Sequence, residues 1–194
     1  MTATETRRGR PRSEAIDAAI LDATVDELVD HGRNGLSMER VADRAGVAKT
    51  TVYRRYPDAD EMIVAALRGM KGGPPTMPDA GVRDQLVALL DSMRQTWSEP
   101  RFAAVMRRVA ADGTTAPEAY AEHRERLVGP HIARFREVLE QGVVQGLIRG
   151  DVDLEWVRTM IVAPVTATTM TLRPAMTAAQ VETTVDTVLR GVAP

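Results

Sequence analysis

The sequence predicts an all-α fold of about nine to ten helices, and three observations carry the prediction. Apolar residues recur at intervals of three and four along nearly the whole chain, whereas the alternation of a half-buried strand is almost absent. The apolar stretches are punctuated by residues that start and stop helices: Ser, Thr and Asp ahead of them, Gly and Pro behind. The chain of 194 residues is 44% hydrophobic, enough to bury a core without covalent staples, and it holds no cysteine. That absence excludes disulfides, thiolate zinc sites, iron–sulfur clusters and cysteine nucleophiles together. No uncharged run approaches the roughly 18–20 residues of a membrane span. The basic N-terminus has no apolar stretch right behind it, so no secretory signal is read there. A soluble, cytoplasmic protein with no membrane partner is the expectation.

Ser13 is placed to cap a first helix over 13–30, with Glu14 in its opening turn and Gly32 supplying a left-handed stop after His31. Its apolar positions form two groups, Ile16/Ala19/Ile20/Ala23 and Leu21/Val25/Leu28/Val29, so a broad stripe is buried. Ser37 caps a short helix over 38–45 that Gly46 ends, and a third helix follows over 48–56. Pro57 blocks its continuation and suits the entry to a fourth, over 58–70. Lys71-Gly-Gly-Pro-Pro-Thr-Met-Pro78 is the clearest break, with three prolines and two glycines. The expected division is a flexible basic arm at 1–12, a first domain at 13–70, a linker at 71–80 and a second domain at 81–194. Helices in the second domain are expected at 81–99, 101–111, 117–127, 130–148, 153–172 and 178–191. Their signals are Pro100, the Thr115-Ala-Pro-Glu118 and Thr177-Ala-Ala-Gln180 capping boxes, Gly129-Pro130, Gly150 and the cap residue Asp153.

A formal net charge of −2 conceals a segregation of charge. Arg7, Arg8, Arg10 and Arg12 face one acid, Glu5; the stretch 13–30 is acidic throughout; then Arg33, Arg40, Arg44, Lys49, Arg54 and Arg55 face only Glu39 and Asp43. Net charge argues against nucleic acid and local charge argues for it, although an arginine bias also follows from a GC-rich genome. Between Leu36 and Tyr56 the chain has the grammar of a helix-turn-helix. Val41 and Ala42 face inward on the first short helix, Gly46 makes the turn, Val47 plugs the corner and Val52 anchors the second helix. That leaves Lys49, Thr50, Thr51, Tyr53, Arg54 and Arg55 around the outer surface, groups that bond phosphates or base edges. By spacing alone, an ordinary helical corner with a solvated basic face stays open.

Ile20-Leu-Asp-Ala, His31-Gly, Leu36-Ser-Met, Val41-Ala-Asp-Arg-Ala-Gly-Val47 and Thr51-Val-Tyr-Arg-Arg-Tyr-Pro57 resemble, in order and spacing, the DNA-binding domain of the TetR family of bacterial transcriptional regulators. The resemblance spans about the first third of the chain; beyond it only the number and length of helices match. It implies an all-α homodimer that binds a palindromic double-stranded DNA operator and releases it when a small, largely apolar effector occupies the second domain, most often as a repressor. Lys49, Thr50 and Thr51 would then begin the recognition helix and reach base edges or nearby phosphates. Tyr53 would present its hydroxyl to a phosphate, Arg54 and Arg55 would follow as backbone or guanine contacts, and Tyr56 would close the set. Ser37 would bring a hydroxyl to phosphate near the free amides of its helix. One departure stands out: where the family commonly has a lysine two residues after the proline, this chain has Ala59 between Asp58 and Asp60, and those acids would repel DNA.

In the arm, Arg8-Gly-Arg-Pro-Arg12 resembles the core of an AT-hook, which implies that Arg8, Arg10 and Arg12 enter a narrow minor groove. A basic tail adding non-specific affinity is the alternative. Nothing looks catalytic: no nucleophile elbow, P-loop or dinucleotide glycine pattern occurs, and three scattered histidines offer no metal-ligand spacing. Neither an enzyme, a metal site nor a cofactor is expected. Gly142 and Gly146 suit close helix packing better than phosphate binding. Met93, Trp97, Phe102, Met106, Tyr120, Phe135, Trp156 and Met160 are the candidates for an adaptable effector pocket, and each alone is equally readable as core. The last two helices are apolar on more than one side, which predicts a dimer interface through Val157, Ile161, Val165, Val181, Val185 and Val188. Pro164 should kink the first of them or mark a join between pocket and interface. A helical carrier or enzyme for small hydrophobic molecules, with a structural helix-turn-helix corner, is the rival reading.

Overall fold

The structure is a computed structural model that describes residues 10–71, 75–113, 117–171 and 174–194, with the side chains of 10–12, 71, 112–113 and 117–128 left aside. The described residues are helical, as the spacing predicts, in the order α1 (Arg10–Gly35), α2 (Met38–Arg44), α3 (Lys49–Arg55), α4 (Ala59–Lys71), α5 (Val82–Ser98), α6 (Pro100–Gly113), α7 (Pro117–Val144), α8 (Leu154–Met170) and α9 (Ala178–Val192). Backbone proximity divides the chain into two units, residues 1–70 with 108–123, and 71–107 with 124–194. The segment 108–123, read from sequence as part of the second domain, groups with the first unit.

In the first unit the helix begins at Arg10, so Ser13 lies inside it rather than capping it, and the part of the expected arm before Arg10 lies outside the described residues. Gly32 breaks it with φ 71° and ψ 178°, and a short turn runs on to Gly35. Ile20 and Ala23 of α1 close over Met38, Val41 and Ala42 of α2, Val52 of α3 and Met62 of α4. Burying Val52 completely contributes about 1.5–3 kcal/mol and fixes the rotation of α3, a helix too short to hold itself. Ser37 caps α2 by accepting from the Arg40 amide, and Gly46, at φ 66°, makes the turn into α3. At α4 the Asp58 carboxylate accepts from the Glu61 amide at 2.8 Å, the work of a cap.

In the second unit α5 packs on α8 and α9, which also pack on each other. Asp153 caps α8 through the Glu155 and Trp156 amides, and Thr177 with Gln180 closes the capping box expected at α9. Two helices expected on either side of Gly129-Pro130 are one, α7, with Pro130 inside it; proline removes a single amide, and the helix continues past it. That helix also ends earlier than expected, because Gly146 takes φ 69° and turns the chain back. Leu147 and Ile148 then both donate to the Gly142 carbonyl, at 2.9 and 3.2 Å, and Ile148 drops into the core. A Cβ on Gly142 would lie 2.7 Å from Ile148 Cδ1 and 3.3 Å from Val82 Cγ1, so the expected close approach occurs at this glycine. Among the described residues, no helix is long and apolar enough to cross a membrane.

Candidate nucleic-acid interface

The acidic stretch of α1 explains where many of the following arginines go. Glu27 is 1% exposed, and a buried carboxylate must be paired. Arg40 of α2 donates to it through Nε at 2.9 Å, Arg44 Nη2 lies 3.3 Å away, and His31 Nε2 lies at 3.7 Å. Arg44 also donates to Asp30 at 2.8 Å, and Arg40 donates to the Gly35 carbonyl. The acids of α1 thus clamp the first helix of the helix-turn-helix. Arg33 reaches Asp60 of α4 at 2.7 Å, so one of the two acids flanking Ala59 is neutralised, and the other, Asp58, caps α4. Asp58 stays exposed, so the Asp60 pairing alone reduces the repulsion expected beside Ala59.

Clamping α2 and burying Val52 leaves the outer face of α3 to solvent. Lys49, Thr50, Tyr53 and Arg54 are exposed there, and Thr51 is half-buried. Two residues read from sequence as DNA contacts are otherwise employed. Arg55 donates through Nε to Asp17 and through Nη2 to Ser13 at 3.1 Å, tying the end of α3 back to α1. Tyr56 packs its half-buried ring on the core, and that burial raises its hydroxyl pKa. Arg8 lies outside the described residues; Arg10 and Arg12 belong to the first turn of α1, and their side chains are outside the description.

Glu39, counted in the sequence only as an acid among the arginines, has a role on this face that the sequence reading did not assign. Glu39, in the first turn of α2, accepts from the Tyr53 hydroxyl at 2.5 Å and from the Ser37 hydroxyl at 2.9 Å. The Tyr53 hydrogen bond, then the Glu39 backbone amide and the Ser37 hydroxyl, hold its pKa down at about 2. The signal was available: Ser37 and Glu39 are two residues apart at a helix start, with Tyr53 on the next helix.

A family model described as bacterial regulatory proteins, tetR family, matches residues 20–66, and one described as tetracyclin repressor-like, C-terminal domain, matches residues 77–188. The chain belongs to the TetR family. Among curated relatives it is 26% identical over 161 residues to the HTH-type transcriptional regulator YdeS of Bacillus subtilis, covering 83% of this chain and 81% of that one. It is 28% identical over 160 residues to the DNA-binding transcriptional repressor TetR of Mycobacteroides abscessus, covering 80% and 82%. Among solved structures, FadR from Bacillus subtilis in complex with stearoyl-CoA shares the fold with a TM-score of 0.69 at 15% identity, covering 90% of this chain and 98% of that one. The protein is a TetR-family transcriptional regulator, as these relatives are transcriptional regulators.

The TetR-family second domain holds a correction. Val157, Ile161, Val165, Val181 and Val185, expected at a dimer interface, are buried in the subunit's own core, and Val188 packs against it. Side chains already covered within one chain are not free to meet another. The exposed stripe of α8 is the other one: Trp156 is 62% and Met160 37% exposed, with Ala163 and Ala167 following at helical spacing. Trp156 and Met160 therefore leave the set of pocket candidates. Phe135 is core, and Tyr120 lies outside the described side chains. Of the remaining candidates, Met93 and Trp97 of α5 pack against the core, Phe102 of α6 is buried and Met106 is half-buried; Trp97 and Phe102 meet edge to face with ring centroids 6.0 Å apart. A cavity of about 390 Å³ is lined by Arg136, Glu140, Asp153, Leu154, Glu155 and Arg158, a charged wall unsuited to an apolar effector.

Proposed function

We propose that the protein is a homodimeric repressor that occupies a palindromic operator and leaves it when an apolar effector binds the second domain. The observation that carries this is α3, anchored by Val52 and presenting Lys49, Thr50, Tyr53 and Arg54 to solvent. A helix so placed reads a major-groove half-site, and pairing of two subunits supplies the second half. The apolar stripe of α8 from Trp156 to Ala167 supports the pairing, because a tryptophan this exposed gains by burial against a symmetry mate. The Trp97–Phe102 pair, with Met93 and Met106 on the same two helices, supports an effector with an aliphatic chain. The bound stearoyl-CoA in the structure of FadR from Bacillus subtilis points to the same class. Selection of bound duplexes from a random pool, followed by release with long-chain acyl thioesters, tests the reading. An enriched palindrome with dissociation on adding the thioester is expected; no enriched motif would sink it.

A further inference from the structure

Glu39 carries an inference that rests on the DNA-binding reading and sharpens it. A hydroxyl has one proton to give. Tyr53 gives its proton to Glu39 Oε1 at 2.5 Å, and Ser37 gives its own to Glu39 Oε2 at 2.9 Å. What this cluster presents outward is therefore lone pairs, those of the Tyr53 oxygen and of an ionised carboxylate, the Ser37 oxygen being taken up by the Arg40 amide. Phosphates are acceptors as well and offer it nothing. A partner must be a hydrogen-bond donor, and on B-DNA the donors of the major groove are the exocyclic amines of cytosine and adenine. Adenine sets its N6 amine beside the N7 acceptor, which a carboxylate repels. Cytosine shows its N4 amine with an acceptor on one side only, the O6 of its paired guanine, whereas the adenine amine lies between its own N7 and the O4 of thymine. A carboxylate is the natural partner of the cytosine amine.

We propose that Glu39, held in the first turn of α2 by Ser37 and by Tyr53 of α3, is a specificity-determining residue that reads a cytosine N4 amine in each half-site. Phosphate contact then falls to Lys49 and Arg54, both exposed on α3. The Tyr53 hydroxyl serves the reader rather than the backbone. The carboxylate stays ionised throughout the pH range of ordinary binding experiments, since its pKa is about 2.

Selection from a random duplex pool is run with the full-length wild type, Glu39→Ala and Glu39→Gln, each checked by circular dichroism. The wild type should enrich a palindrome with one cytosine per half-site that Glu39→Ala reads about tenfold or more less strictly. Glu39→Gln, which gains an amide donor, should shift that position towards adenine. A synthetic operator in which that cytosine is replaced by 2-pyrimidinone, lacking the N4 amine, should weaken the wild type and leave Glu39→Ala unchanged. Identical base preferences for wild type and Glu39→Ala would overturn the inference while leaving the regulator reading intact. Tighter binding of Glu39→Ala to every sequence alike would overturn it too, making the carboxylate a mere repeller of phosphate. A wild type that enriches no motif would take down both readings.

Discussion

Tyr53 and Glu39 show how one hydrogen bond reassigns a residue. Tyr53 donates to the carboxylate, and each group holds the other: the tyrosine hydroxyl is raised in pKa and the carboxyl is lowered from 4.5 to about 2. Replacing Tyr53 by Phe removes the largest cause of that depression, so the Glu39 pKa should climb back towards 4.5, read by NMR titration of the side-chain carboxyl. The sign for stability follows. A depressed folded-state value means the pair contributes above the unfolded pKa of 4.5 and is lost as pH falls through about 2. Neighbouring arginines separate in the same way. Arg54→Ala should lower the salt slope of operator binding by about one unit. Arg55→Ala should leave that slope alone and instead cost about 1 kcal/mol in urea unfolding, because its guanidinium is engaged with Asp17 and Ser13. Sequence could place both arginines on one short helix, but not tell which would turn inward; that depends on Asp17, 38 residues earlier.

Helices were legible where their ends carry local chemistry. The Thr177–Gln180 capping box, the Asp153 cap and the left-handed Gly46 each act through neighbours within a few residues, so the sequence contains the whole interaction. Pro130 misled for the opposite reason: proline inside a helix costs one amide, and whether the helix survives depends on packing from elsewhere. Glu27 is another long-range case, a buried acid that sequence could not distinguish from the exposed acids beside it. Glu27→Ala should destabilise the first unit by about 2 kcal/mol, since it removes charge-assisted bonds while the half-exposed Arg40 and Arg44 regain water. At the end of α7, Gly142→Ala pushes a methyl into Ile148 and should cost about 1–3 kcal/mol, measured by thermal unfolding.

For the whole molecule, the question is which surface meets a second copy. Periodicity showed that α8 has two apolar stripes but could not say which one the subunit keeps for itself. Val157, Ile161 and Val165 face α5 and α9 in the core, so the stripe of Trp156 and Met160 is left over. Met160→Glu should then leave the subunit folded, shift sedimentation to monomer and abolish tight operator binding, because a lone recognition helix reads a half-site. Val185→Glu should behave differently, unfolding the subunit itself, since it places a carboxylate in a fully buried position. A folded dimeric Met160→Glu variant would show that another face pairs the subunits.

The chain has two tryptophans, and their positions give the protein an optical record of its own state. Trp156 stands in water on the outer stripe of α8, whereas Trp97 lies half-buried beside Phe102. Pairing of subunits through α8 would dry the first ring and move its emission to shorter wavelength; an acyl chain settling among the aromatic and thioether side chains would quench or shift the second. With Trp156→Phe and Trp97→Phe as single-fluorophore versions, dilution and effector titration become two separate colour changes in an unlabelled sample. Assembly and release could then be timed independently in a stopped-flow instrument.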